Sequence, residues 1–91
     1  MKKKELEKVL YLLVRSGKAK TREYENELQF KTETGVLVKL SDNGLTVETG
    51  KTVFICEYDD VKFFYSMSQH LSVLVIKNDK VKSKLYLNRV Y

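Results

Sequence analysis

An α+β fold, with one N-terminal helix packed on an antiparallel β-meander, is the architecture this sequence predicts. Three observations lead to it. Leu6, Val9, Leu10 and Leu13 recur at i, i+3, i+4 and i+7, the spacing of one helix face. After Gly17 the apolar residues change to a two-residue alternation that runs almost to the C-terminus. Short clusters of Asn, Asp and Gly punctuate that alternation, and no proline interrupts it.

The helix is expected over about residues 3–16. Glu5 and Glu7 stand in its first turns and Arg15 in its last, each placed to offset the helix dipole, and Gly17 follows where a left-handed cap is needed. Tyr11, Leu12 and Val14 widen the apolar stripe. Its C-terminal half should therefore be enclosed on more than one side, a second chain being one way to supply the extra cover. Residues 18–26 are polar and charged, and their period leaves a loop and a short second helix both open.

Strands are expected at Glu27 to Thr32, Val36 to Leu40, Leu45 to Thr49, Thr52 to Tyr58, Val61 to Ser66, Leu71 to Lys77 and Val81 to Asn88, where β-branched and aromatic residues dominate. Asp42-Asn43-Gly44, Thr49-Gly50-Lys51 and Asn78-Asp79-Lys80 read as hairpin turns in which Asn, Asp and Gly accept positive φ. Strands joined this closely run antiparallel. The expectation is a meander of five to seven strands over about residues 27–88, forming a curved sheet or partial barrel.

Residues 1–91 read as a single domain. That length supplies one core, and 43% hydrophobic with 32% charged residues is the balance of a chain that folds. The longest apolar run, Val9 to Val14, is far shorter than a bilayer span, and no small-residue cleavage site flanks it. No membrane insertion is expected. A single cysteine, Cys56, forms no internal disulfide and suits a reducing, cytoplasmic setting.

The pattern offers little for catalysis, and no enzyme, metal site or cofactor is expected. His70 is the only histidine, so a histidine-based metal cluster has no second member, and a Cys56/His70 dyad lacks an orienting motif. Cys56 sits in the alternating run Val53-Phe54-Ile55-Cys56 and reads as a small buried hydrophobe. Adjacent Asp59 and Asp60 point apart on a strand, so turn duty suits them better than paired acid–base work. The four glycines make no phosphate-binding loop.

Two features bear on binding instead. The first is charge: the net value is +5, with Lys2, Lys3, Lys4, Lys8, Arg15, Lys18, Lys20 and Arg22 near one end and Lys77, Lys80, Lys82, Lys84 and Arg89 near the other. If the ends meet, they make one surface that attracts polyanions or an acidic protein. The second is aromatic content. Phe63, Phe64 and Tyr65 are consecutive, so a strand puts Phe64 on one face and its neighbours on the other. One face should meet the core, leaving the other for a second layer or a partner. Tyr24, Tyr58, Tyr86 and Tyr91 are amphipathic and suited to stacking beside lysines.

Residues 44–88, from Gly44-Leu45-Thr46-Val47 through Ile55-Cys56-Glu57-Tyr58-Asp59-Asp60-Val61-Lys62-Phe63 and two further alternating segments, resemble bacterial pleckstrin-homology-like domains. The resemblance implies a curved antiparallel sheet used as a binding scaffold for proteins or lipids, with no catalytic residue to carry over. Residues 10–40, through Leu13-Val14-Arg15-Ser16-Gly17-Lys18-Ala19-Lys20-Thr21-Arg22, are similar to the start of a small RNA-binding module found in a ribosomal small-subunit protein and in tyrosyl-tRNA synthetases. That similarity implies a basic second helix gripping RNA, although Tyr24, Glu25 and Glu27 depart from it.

The leading expectation is a small non-enzymatic protein-binding module whose contacts include Tyr11, Val14, Phe64 and Tyr86. A homodimer through the helix face around Tyr11 and Val14, or through an open strand edge, accompanies it. The alternative is RNA or DNA binding through Arg15, Lys18, Lys20, Arg22, Lys82 and Lys84. Short proline-free chains rich in Lys, Tyr and Asn are common among accessory proteins of phages and mobile elements, which suggests a regulatory or inhibitory role.

Overall fold

The helical period of the first segment is realised as α1 (Lys3–Arg15), with Leu6, Leu10 and Leu13 buried along one side. Its start is fixed by the Glu5 carboxylate, which accepts the Lys2 N–H at 3.2 Å. Its end is a Schellman motif: Gly17 adopts φ +76°, the Gly17 N–H donates to the Val14 carbonyl at 3.1 Å, and the Lys18 N–H donates to the Leu13 carbonyl at 2.8 Å. The structure, a computed structural model, describes residues 1–89.

Two antiparallel sheets follow. The larger has the order β1 (Ala19–Tyr24), β2 (Glu27–Thr32), β3 (Leu37–Ser41), β4 (Gly44–Glu48) and β5 (Val53–Cys56). A 3₁₀ turn, Tyr58–Asp60, leads to the smaller one, β6 (Val61–Ser66), β7 (Leu71–Lys77) and β8 (Lys82–Tyr86). Both are plain meanders, as short connections require. The chain thus has eight strands rather than five to seven, in two sheets that do not close into a barrel.

The extra strand is β1. Residues 18–26 were open between loop and helix by period; they pair with β2 from Ala19↔Thr32 to Tyr24↔Glu27 across a two-residue turn at Glu25-Asn26. The basic second helix implied by the likeness to the RNA-binding module is therefore a strand. Its alternation is faint because β1 is an edge strand in which Ala19 alone is buried. What makes it a strand is the ladder that β2 offers, which overrides weak local preference.

Burial on the inner faces follows the two-residue period. Phe30, Val38 and Val47 of the larger sheet, Val61, Leu74, Ile76 and Leu87 of the smaller segment, and Leu6 and Leu10 of α1 are fully enclosed in one apolar cluster. Tyr11 meets Phe30 edge to face, with ring centroids 5.0 Å apart at 84°. Tyr11 thus spends much of its ring on the core, Val14 is half-buried against it, and Leu12 remains 53% exposed.

The turns use side-chain acceptors more than positive φ. Asn78 Oδ1 accepts the N–H groups of Lys80 and Val81, both at 2.9 Å, and Thr49 Oγ1 accepts the Thr52 N–H at 3.2 Å. Among the described residues His70 is the sole non-glycine with positive φ, at 51°. Gly44 is required by close approach, because a Cβ there would lie 2.9 Å from the Cys56 carbonyl oxygen on the neighbouring strand.

Candidate functional site

The outer face of the smaller sheet gathers side chains that are far apart in sequence. The Leu87 N–H donates to the Ser72 carbonyl at 2.9 Å, which makes that pair hydrogen-bonded and leaves Val73↔Tyr86 and Val75↔Lys84 as the closer, non-hydrogen-bonded pairs. Phe64↔Val73 on the other side completes a cross-strand row Phe64, Val73, Tyr86. Phe64 is 54% exposed and Tyr86 49%, although both border a groove floored by Val73 and Val75. Two of the sequence-derived contact residues, Phe64 and Tyr86, are thereby brought together.

Lysines border this row on one side. Lys62, Val75 and Lys84 form the next row, and Lys77 stands directly opposite Lys82. The Lys84 ammonium lies 5.8 Å from the Tyr86 ring centroid, within cation–π range. No carboxylate belongs to this face of β6, β7 and β8. It offers a hydrophobic strip with one positive margin, suited to an apolar or aromatic segment carrying an acidic flank. Phe63, by contrast, turns inward against the core, and Tyr65 is exposed with its hydroxyl 3.3 Å from His70 Nδ1.

A second basic surface lies on the outer face of β1 and β2. Lys20 stands directly opposite Lys31, with Arg22 opposite Gln29 in the next row and Tyr24 opposite Glu27 beyond it. Lys18, Lys20, Arg22 and Lys31 border one shallow concavity there. Like charges directly opposed are destabilising. Among the described residues no carboxylate lies within 4.0 Å of these cations; the ion pairs present are Lys3 with Glu7, Lys3 with Asp42, and Lys39 with Glu48. Arg15 is exposed at the end of α1.

The two basic segments do approach one another, at the β2–β3 turn. The Glu33 N–H donates to the Lys18 carbonyl at 2.9 Å, the Arg89 N–H donates to Glu33 Oε2 at 2.7 Å, and Thr34 Oγ1 donates to the Tyr86 carbonyl at 2.6 Å. A carboxylate therefore stands at the junction, and each lysine cluster keeps the outer face of its own sheet. Tyr58 is half-buried and donates to the Ser41 carbonyl, so it is not a free stacking platform. Tyr91 lies outside the described residues.

The residues weighed for catalysis stay apart. Cys56 is buried in β5, whereas His70 is exposed in the β6–β7 hairpin beside Tyr65. Asp60 caps the 3₁₀ turn, its Oδ2 accepting the Glu57 N–H at 3.1 Å. Burial pushes the Cys56 thiol up from its ordinary 9.0, helped by Asp60, and burial likewise pushes the Tyr58 hydroxyl up from 10.0. A raised folded-state value means that the native fold favours the protonated form. The associated stability is complete below the ordinary values and is lost as pH rises through the raised ones. The melting temperature should therefore fall above about pH 9, and the fall should flatten in a Cys56→Ala, Tyr58→Phe double variant. A parallel decline in both proteins would show that other groups control alkaline unfolding.

Lys31, Lys62, Val73 and Val75 were not singled out from sequence, since membership of these faces depends on register across strands. The alternation of β6 and β7 carried a partial signal: it puts Lys62 with Phe64 and Val73 with Val75 on one side. Which strands would be neighbours was the missing fact. No protein-family model, curated protein or solved structure matches this chain.

Proposed function

We propose that this protein is a non-enzymatic protein-binding module that holds its partner on the outer face of β6, β7 and β8. The observation that carries the reading is the row Phe64, Val73 and Tyr86, two half-exposed aromatics on an apolar floor with Lys62 and Lys84 in the next row on one side. Aromatic anchors in a groove supply most of the affinity at such surfaces, and rim charges mainly steer approach. A partner segment with apolar side chains followed by acidic ones fits both features. A regulatory or inhibitory role, of the kind accessory proteins of phages and mobile elements perform, would follow from covering such a segment.

Affinity capture from nuclease-treated host extract, followed by titration of the protein recovered, tests this. Tyr86→Ala should weaken binding by about 2 kcal/mol, roughly 30-fold, and Lys82→Ala with Lys84→Ala by less than about 1 kcal/mol. Capture that disappears with nuclease, or that depends on the lysines more than on Tyr86, would reject the assignment.

The opposition of Lys20 and Lys31 favours a second reading, in which the β1–β2 face binds nucleic acid phosphates with Lys18 and Arg22 beside them. Such binding would drop steeply with salt, log K falling by about 0.9 per phosphate contact on duplex DNA for each unit of log salt. We expect oligonucleotides to bind no tighter than about 10 μM at physiological salt, the level of non-specific association. Submicromolar, sequence-preferring binding that Lys20→Ala and Lys31→Ala abolish would make this the functional face instead.

A further inference from the structure

We infer that two copies of this chain associate through β5, joining their larger sheets edge to edge about a two-fold axis near Phe54. The inference is independent of the partner face on β6, β7 and β8. It starts from the ladder. The Thr49 N–H donates to the Thr52 carbonyl at 2.8 Å, so the alternate pairs Val47↔Phe54 and Leu45↔Cys56 are hydrogen-bonded as well. Val53 and Ile55 must then direct their N–H and C=O groups away from β4. β5 is the last strand of its sheet, and among the described residues no other backbone group bonds to this stretch.

Among the described residues the two sheets have four outer strands, and these differ in protection. β1 carries Lys20 and Arg22, β6 carries Lys62, and β8 carries Lys82 and Lys84, while Thr34 occupies the Tyr86 carbonyl. Lysines on an edge discourage pairing with another strand, and self-pairing of β1 or β8 would bring like charges together. β5, with the sequence Val-Phe-Ile-Cys, has no charged residue within it. Its outward side chains are also its most exposed apolar ones, Val53 at 58% and Ile55 at 84%. An edge with free backbone groups and bare apolar side chains is a template for strand addition.

The occupant that fits is a second β5. Antiparallel pairing centred on Phe54 sets Val53 of each copy opposite Ile55 of the other, which forms two apolar cross-strand pairs and about four main-chain hydrogen bonds. The ends match by charge. The same direction of pairing lays Lys51, at the hairpin tip of each copy, beside Glu57 and Asp59 of the other. Register is confined as well: Asp60 already takes the Glu57 N–H, so the free stretch of edge stops after Ile55. By comparison, the helix face is a poorer dimer surface, since Tyr11 is engaged with Phe30 and Val14 with the core.

Sedimentation equilibrium at about 100 μM should show a reversible dimer of the native chain, with a mass that falls on dilution. Ile55→Lys puts a charge on the edge, and Val53→Pro removes an outward N–H without touching the β4 ladder. Either should raise the dimer dissociation constant at least about tenfold while leaving the far-ultraviolet circular dichroism unchanged. Leu12→Lys, on the exposed side of α1, should leave the dimer intact. A monomeric native chain at that concentration overturns the inference. So does a dimer that survives both edge variants, or one that Leu12→Lys disrupts. Photocrosslinking from position 55 that yields a different protein rather than the same chain would reassign the edge to that protein.

Discussion

Replacement of Leu10 by Asp should unfold most of the protein at ambient temperature. Leu10 is fully buried within the apolar cluster where α1 meets the sheets. A carboxylate there is either desolvated without a partner or protonated at a cost, a penalty of about 4 kcal/mol or more once the lost leucine packing is added. A domain of this length is stable by about 5–14 kcal/mol, so the substitution removes a large part of the total. Leu12→Asp, two residues along the same helix but 53% exposed, is the control and should change stability by less than about 0.5 kcal/mol. Thermal unfolding followed by circular dichroism separates them. Equal melting temperatures for the native chain and Leu10→Asp would mean that this face of α1 is not docked.

Asn88→Ala should cost about 2–3 kcal/mol, equivalent to a fall of roughly 10–20 °C in melting temperature. Asn88 is 1% exposed just beyond β8, and its side chain ties the β6–β7 hairpin to the chain that follows β8. Its Oδ1 accepts the Ser72 N–H at 2.7 Å, and its Nδ2 donates to the His70 carbonyl at 2.7 Å. Alanine leaves a buried N–H without a partner and loosens His70, whose left-handed backbone is already unfavourable for a non-glycine residue. Asn88→Asp preserves the acceptor for Ser72 but not the donor for His70, so its loss should be intermediate. If the alanine variant melted with the native chain, the hairpin would be held by its ladder alone.

Asn88 also marks a limit of reading by pattern. The alternation ends the last expected strand at Asn88, and nothing in it says that this polar residue is buried. Its burial depends on the β6–β7 hairpin folding back to present Ser72 and His70, contacts at separations of 16 and 18 residues. The strands β2, β6 and β7 were legible to the residue: β2 and β6 have one face in the core and a period of two, and β7 is a run rich in β-branched residues, buried in part on both faces. β1 was not, because an edge strand with a single buried side chain barely alternates.

Binding surfaces divide in the same way. Phe64 and Tyr86 were recognisable singly as aromatics in alternating segments, and Lys82 and Lys84 as part of a basic end. That Phe64, Val73 and Tyr86 share a row follows only from the β6–β7–β8 order and register. The Lys20–Lys31 opposition likewise exists only because residues 19–24 pair with β2.

The amino-acid sequence by itself determined the helix, its glycine cap, the change of period after Gly17 and the α+β class, since each depends on neighbours within about one turn of helix or a few strand residues. The tertiary structure alone decided that β1 is a strand, that eight strands divide into sheets of five and three, that β5 is left as the uncharged edge, and which distant side chains stand in one row. The physical reason is range. Local propensity and periodicity act between residues close along the chain, whereas strand order and burial at sheet edges are settled by which segments compete for the same core and the same backbone hydrogen bonds.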